Sequence, residues 1–193
     1  MANFLDYLDN HHQILKAAKW QRDGKEVEQI QVEDDFFRSL DRVKQNNNQV
    51  FIIGNGGSAS IASHAVVDFV NALSIPAFTI HDSSLLTCMT NDHGYENAFS
   101  MVLKKIAKPG DFLVAISSSG NSQNILKAHQ VMLELGGECF SLSGFKDDNH
   151  LKQQQGGHVW LPSESYGHVE VGHMLIMHYL IDQYASRSVL IGS

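Results

Sequence analysis

Residues 50–60 read VFIIGNGGSAS, and the order of the parts decides the fold. Four apolar residues, Val50 to Ile53, are too few for a helix and are bounded by a glycine turn, the pattern of a strand buried on both faces. Gly54-Asn55-Gly56-Gly57-Ser58 turns the chain, and a helix begins at about Ala59. The same unit recurs downstream. Ala77–Ile80, Phe112–Ile116, Cys139–Leu142 and His158–Leu161 are short apolar runs, most followed by Gly, Ser or Asp. A βα repeat of this kind predicts an α/β fold with a doubly wound, five-stranded parallel sheet. Upstream, residues 1–47 hold one glycine (Gly24) and no proline, and Phe4, Leu5, Leu8, Ile14, Leu15 and Ala18 recur at helical spacing. Two N-terminal helices separated near Arg22–Gly24 fit that stretch.

The 193 residues suit one domain, 1–193, with 1–47 as a helical segment for oligomerisation and 48–193 as the α/β core. A net charge of −7 argues against a sequence-independent grip on nucleic acid or on an anionic membrane. No window approaches the ~18 consecutive apolar residues of a membrane span. Asp6 and Asp9 stand where a signal peptide would carry basic residues. Cys88 and Cys139 lie in apolar surroundings and read as two buried, reduced thiols, so a cytoplasmic protein is expected. The last helix, roughly His168–Tyr184, is apolar almost all round, which implies burial against a second subunit as well as its own sheet.

The first loop aims backbone N–H groups at one point in front of a helix N-terminus, which makes an anion site. It lacks the Gly-Lys-Ser/Thr ending of a Walker loop and the third glycine of a dinucleotide fingerprint, so no nucleotide cofactor is expected. The third strand ends similarly, in Ser117-Ser118-Ser119-Gly120-Asn121-Ser122, and runs into a second helix. Both loops lie at the carboxyl ends of parallel strands, where open α/β sheets bind ligands. Together they describe a phosphate clamp built from hydroxyls and backbone dipoles. His64 and Asp68, four apart in the helix after the first loop, share a face. Spacing alone leaves that pair open between a solvated ion pair and a functional one.

Across essentially the whole chain the sequence resembles the sugar isomerase (SIS) domain family, and within it the phosphoheptose isomerase group. The resemblance rests on the paired N-terminal helices, the G-N-G-G-S loop, the segment Asn91, Asp92, Gly94, Tyr95, Glu96, the S-x-S-G-N-S loop, and a C-terminal helix with His173 and His178. It implies conversion of sedoheptulose 7-phosphate to a manno-heptose 7-phosphate, a step toward surface-polysaccharide precursors, in a homotetramer with sites at subunit interfaces. By resemblance Ser58, Ser117, Ser118, Ser119 and Ser122 hold the phosphate beside Gly56 and Gly57, and Asn55 and Asp92 approach the sugar. The family's glutamine and histidine, eight apart, fall on Glu170 and His178, which leaves His173 as a packed histidine.

Ketose–aldose isomerisation through an enediol needs a base beside the carbonyl and an acid to move protons between two oxygens. Asp68 and His178 are assigned as that pair. By the same resemblance His64, Asp68, Glu170 and His178, with Glu170 also at the substrate, form a zinc-type ligand set, one ion per site. The residues leave open a structural metal, a catalytic metal and no metal. Three positions depart from the family: Asp68 replaces a glutamate, Glu170 a glutamine, and Ala72 stands where the family has an arginine. The other readings are an isomerase for a different phosphosugar, and a binding module similar to the tetrameric SIS proteins that associate with a replication initiator. His11, His12, Trp20 and Trp160 read as surface or packing residues, and His81 and His93 as flanking the site.

Overall fold

The computed structural model describes residues 3–191, with side chains described as far as Arg187. The chain runs α1 (Phe4–Lys16), β1 (Lys19–Arg22), β2 (Lys25–Glu26), α2 (Gln29–Gln45), β3 (Val50–Ile53), α3 (Gly57–Asn71) and β4 (Ala77–Phe78). It continues through α4 (Ser83–His93), α5 (Ala98–Ile106), β5 (Phe112–Ser117), α6 (Gln123–Glu134), β6 (Glu138–Ser143), β7 (Gly157–Trp160) and α7 (Tyr166–Ile191). The sheet order is β2-β1-β7-β6-β5-β3-β4. From β4 to β7 every pairing is parallel. This is the expected α/β fold, and all five expected strands are present.

The sheet nevertheless has seven strands rather than five. Where the sequence reading separates two helices, Lys19–Arg22 and Lys25–Glu26 form a hairpin, and β1 adds antiparallel to the outer edge of β7. Asp23 and Gly24 both have positive φ, 51° and 73°, as the two central residues of a tight hairpin turn require. The hairpin thus covers an edge that the parallel sheet alone would leave unpaired.

Strand alternation divides the interior. Val50 and Ile52 face a core shared with α2, α3 and α7, while Phe51 and Ile53 face one shared with α5 and α6. Phe36 of α2 meets Phe112 and Phe140 edge-on, at 5.6 and 5.0 Å between ring centres. α7 is longer than expected and is not covered on every side: Val169, Ile176, Met177, Leu180 and Ile181 are buried, but Val171, Leu175 and Tyr179 form an exposed stripe. Cys139 is buried as expected. Cys88 is not; it sits on the exposed side of α4.

Of the four buried histidines among the described residues, three lie deepest, at 1% exposure or less, and His168 is the fourth. His158 of β7 lies between Ser141 and Ser143 of β6, its Nδ1 2.7 Å and Nε2 2.9 Å from their hydroxyls. His173 is the packed histidine that was expected, with Nε2 3.1 Å from the Ser143 carbonyl. His129 is fully buried with both ring nitrogens unpaired by hydrogen bonds. Burial lowers the pKa of His129 and His173 to about 4 and holds that of His158 well below 6.5. The folded chain therefore refuses protons that the unfolded chain takes up below its histidine pKa of about 6.5.

Stability is accordingly expected to fall as the pH drops from about 6.5 toward 4, with His129 and His173 contributing about 3 kcal/mol each at the lower end. Urea titrations at pH 7 and pH 4.5 measure the loss. His129→Leu, which removes a buried titrating group with no hydrogen bond, should flatten the acid limb by its share while leaving the midpoint at pH 7 unchanged or raised.

Candidate functional site

Hydrogen-bonded pairing of β3 with β5, Val50 on Phe112 through Ile53 on Ala115, sets the ends of the two strands side by side. Relative to the five parallel strands, this is where the direction of strand addition reverses, the crevice in which α/β sheets hold ligands. The loops after both strands line one cavity of about 250 Å³ with Tyr166 and Glu170 from the start of α7. Asn55, Gly56, Gly57, Ser58, Ser117, Ser118, Ser119 and Ser122, all expected on one ligand, are brought together there. No lysine or arginine is among the lining residues.

The donors in this cavity are underused by the protein itself. α3 starts after Gly56, which has no side chain to cap it, and α6 starts after Ser122, whose hydroxyl makes no capping bond. Ser122 instead sits with its Oγ 3.3 Å from the Ser117 Oγ. Neither helix therefore has a cap-residue side chain on its first-turn N–H groups, although the Ile125 N–H of α6 is met by the Asn124 Oδ1. The Ser118 hydroxyl is buried and has no hydrogen-bond partner, a costly state that a ligand oxygen would relieve. Gly120, at φ 65°, closes the second loop, and a Cβ there would lie 2.0 Å from the Asn149 amide oxygen. These groups make a site for an oxyanion held by neutral donors.

Further along the same helices lies a second polar group. Ser60, His64 and Asp68 recur every four residues on α3, as do Glu170, Met174 and His178 on α7, and each set forms one row. Gly57 meets Glu170 at one end and Asp68 meets His178 at the other, so the two helices run side by side in the same direction. An Asp68 carboxylate oxygen is 3.3 Å from His178 Nδ1 and 3.7 Å from His64 Nε2. The two imidazoles lie edge to face, 5.0 Å apart. Among the described residues, His64, Asp68 and His178 are the group whose ligand atoms all fall within 4.8 Å of one another.

Glu170, the expected fourth ligand, is not part of that group. It lies eight residues before His178, about 12 Å along the helix. Its carboxylate rests against Gly57 inside the cavity, so close that a Cβ on Gly57 would be 2.3 Å from it. Asp92 also stands outside the cavity lining, exposed on α4 with the Asn91 amide donating to it at 2.9 Å. From the same segment it is Tyr95 that reaches the loops, its hydroxyl donating to the Asn55 Oδ1 at 2.7 Å. His81 supports the first loop from below, its Nε2 accepting from the Gly54 N–H at 3.4 Å, and burial lowers its pKa. His93 ends α4 in solvent, away from the cavity lining.

Sequence reasoning passed over Tyr166 and Asn124. Tyr166 is the first residue of α7 and lines the cavity. Asn124 pairs with the Asn55 side chain from beneath. A tyrosine at a helix start and an asparagine inside one carry no sequence signal of such roles.

A family model described as the SIS domain matches residues 7–144. A phosphoheptose isomerase of Geotalea daltonii is 36% identical over 148 residues, 74% of this chain and 77% of that protein. One from Helicobacter pylori is 34% identical over 148 residues, covering 72% and 74% of the two chains. Among solved structures, a phosphoheptose isomerase from Neisseria gonorrhoeae superposes with a TM-score of 0.80 at 23% identity, over 95% of each chain. Another from Francisella tularensis gives 0.80 at 22% identity, over 96% of this chain and all of that one. At those identities the structural likeness speaks for the fold.

The Glu170 carboxylate places a negative charge in a cavity otherwise suited to anions. At a separation of about 5 Å, repulsion between two such charges costs on the order of 1 kcal/mol even in water and more in a shielded site. Glu170→Gln is therefore expected to bind inorganic phosphate about tenfold more tightly in metal-free buffer. Titration calorimetry measures this, and an unchanged affinity would mean that the carboxylate turns away from the ligand.

Proposed function

The chain belongs to the SIS domain family, and from that premise we propose that it is a phosphosugar isomerase that converts sedoheptulose 7-phosphate to a manno-heptose 7-phosphate. One observation carries this reading: a cavity of neutral donors at the start of α3 and the His64–Asp68–His178 group toward its end lie along the same face between α3 and α7. His64 follows Ser58 by six residues and Asp68 by ten, about 9 and 15 Å along α3. That separation suits an open-chain ketose with a phosphate at one end and a carbonyl at the other.

In this reading the serine hydroxyls and the N-termini of α3 and α6 hold the phosphate, and the far end of the sugar lies over Asp68 and His178. With His178 Nδ1 turned to the Asp68 carboxylate, its Nε2 is the nitrogen left to face substrate. One of the pair takes the proton from the carbon beside the carbonyl, and the other exchanges protons with the two oxygens as the enediol forms and collapses. His64 approaches the same Asp68 oxygen, its Nε2 at 3.7 Å, and adds to the polar surroundings of that carboxylate.

The group of two imidazoles and a carboxylate also fits one divalent cation, since its ligand atoms are mutually within 4.8 Å and nitrogen with oxygen donors suit zinc. His64, Asp68 and His178 would hold it. When bound, such an ion polarises a carbonyl as a Lewis acid.

All three side chains are partly open to solvent in the single chain, and exposed apolar residues surround them: Val67 on α3, and Val171 and Leu175 on α7. Near them Leu15, Ala18, Trp20, Leu175 and Tyr179 line an apolar hollow of about 310 Å³. Phe4, Leu5, Tyr7 and Leu8 of α1 are exposed as well. We take these surfaces as the contacts of a homotetramer in which a second copy closes each site. The free thiol of Cys88 on the surface is consistent with a reducing, cytoplasmic setting.

Incubation with sedoheptulose 7-phosphate in deuterated water is expected to give an aldose carrying deuterium beside its carbonyl. Absence of both exchange and product, with and without added zinc, would overturn the proposal. Asp68→Asn and His178→Ala should each lower kcat on the order of 10³-fold while sugar-phosphate binding persists. Sedimentation should show a multimer for the native chain. Leu175→Asp, which puts a charge in the exposed stripe, should shift it to smaller species and lower turnover, whereas a monomeric native chain with full activity would defeat the assembly.

A further inference from the structure

The orientation of the Asn55 amide follows from the hydrogen bonds around it. The Ile125 backbone N–H, which can only donate, lies 3.0 Å from one side-chain atom of Asn124 and so identifies that atom as Oδ1. The Asn124 Nδ2 then faces Asn55, donating to its Oδ1 at 2.9 Å, while the Asn55 Nδ2 donates back to the Asn124 Oδ1 at 3.0 Å. The Tyr95 hydroxyl donates to the same Asn55 Oδ1 at 2.7 Å. Both acceptor positions of that oxygen are therefore filled, and one of the two N–H bonds of Nδ2 is used. What Asn55 has left to offer the cavity it lines is one N–H donor and no acceptor.

Asn124 does not line the cavity and is almost fully buried at the second position of α6. Its amide ties the β3 loop to the helix behind the β5 loop, across the crevice. Tyr95 comes from a third segment, just after α4, and is half-exposed. We propose that Asn124, with Tyr95, is a positioning residue that locks the Asn55 amide so that it presents only an N–H to an oxygen of a bound phosphosugar. The inference rests on the reading of the cavity as a phosphosugar site and adds what that site demands at this position: a hydrogen-bond acceptor. Without the lock the amide could turn and present its carbonyl oxygen to the anion, exchanging an attraction for a repulsion.

A double-mutant cycle separates positioning from general structural support, because a residue that acts only through Asn55 has nothing to act on once Asn55 is gone. Dissociation constants of sedoheptulose 7-phosphate and of inorganic phosphate are measured by calorimetry without added metal, so turnover does not enter. Asn55→Ala and Asn124→Ala are each expected to weaken binding about tenfold, and Tyr95→Phe about threefold. In the Asn55→Ala background, neither Asn124→Ala nor Tyr95→Phe should cost more than a factor of two. Asn124→Asp keeps the shape and the acceptor for the Ile125 amide but loses the donor, and should cost at least as much as Asn124→Ala. Tyr95→Phe alters an exposed hydroxyl, so its arm of the cycle is readable even where Asn124→Ala fails to fold. Equal losses with and without Asn55 would overturn the inference, as would unimpaired binding by Asn55→Ala or no binding of either ligand by the native chain. Native binding of inorganic phosphate without sedoheptulose 7-phosphate would defeat the heptose reading instead, and the cycle would still be read in inorganic phosphate.

Discussion

The site depends on the ladder between β3 and β5. Because Ile53 is in register with Ala115, two residues before β5 ends, the strands deliver their loops to neighbouring positions at one end of the sheet, and the helices that follow leave on opposite faces. α3 joins the layer with α2 and α7, and α6 the layer with α5. Their N-termini therefore converge from the two sides of the sheet while their bodies diverge. A one-residue slip of β3 would turn Val50 and Ile52 out of one core and Phe51 and Ile53 out of the other, so the burial that fixes the fold also fixes the convergence. The Asn55–Asn124 amide pair bridges the crevice at that point.

Convergent helix termini change what the site needs from side chains. A phosphate held by lysine or arginine brings a strong, long-range positive field with it, which also attracts nucleic acid. In the proposed site the attraction would come from helix N-terminal N–H groups and serine hydroxyls, short-range dipoles that act only on a ligand seated in the cavity. The Glu170 carboxylate works in the same direction by raising the cost of an anion that the donors do not fully satisfy. Histidine shows a parallel division. His129, His158 and His173 are kept neutral by burial, whereas His64 and His178 stay partly open to water beside Asp68.

Much of this was legible in residues. Each run of four or five apolar residues became a strand because no helix of that length could bury so continuous an apolar surface, and the glycine and serine that follow each of the two central strands mark the turns. His64 and Asp68 are neighbours by helical spacing alone. The hairpin at Lys19–Glu26 was passed over although Asp23-Gly24 is a strong turn signal, because the apolar spacing around it reads as helix and the edge it pairs with lies well over a hundred residues away. The placement of Glu170 has the same cause. Its spacing from His178 is local, but whether the two share a ligand depends on which parts of α7 lie against Gly57 and Asp68, and that follows from the packing of α3 on α7. Cys88 was misread because the apolar residues beside it in sequence, Leu85, Leu86 and Met89, pack inward while the cysteine faces out.

The two halves of the site are built to different degrees of completeness by one chain. The cavity is walled by buried serines and loops tied together by amides, so its geometry is set as soon as the sheet forms. The His64–Asp68–His178 group, proposed as the acid–base centre, lies on an open surface between two helices, where water screens its charges. The proton transfer proposed for the Asp68–His178 contact would gain from exclusion of water, and the described residues of the single chain leave that side partly open. What it does provide is an apolar margin, Val67, Val171 and Leu175, whose exposure is costly in isolation and whose burial would supply that wall. In the proposed tetramer, a contact that buried the exposed stripe of α7 would also dry the proposed acid–base group and so couple assembly to catalysis through one helix face.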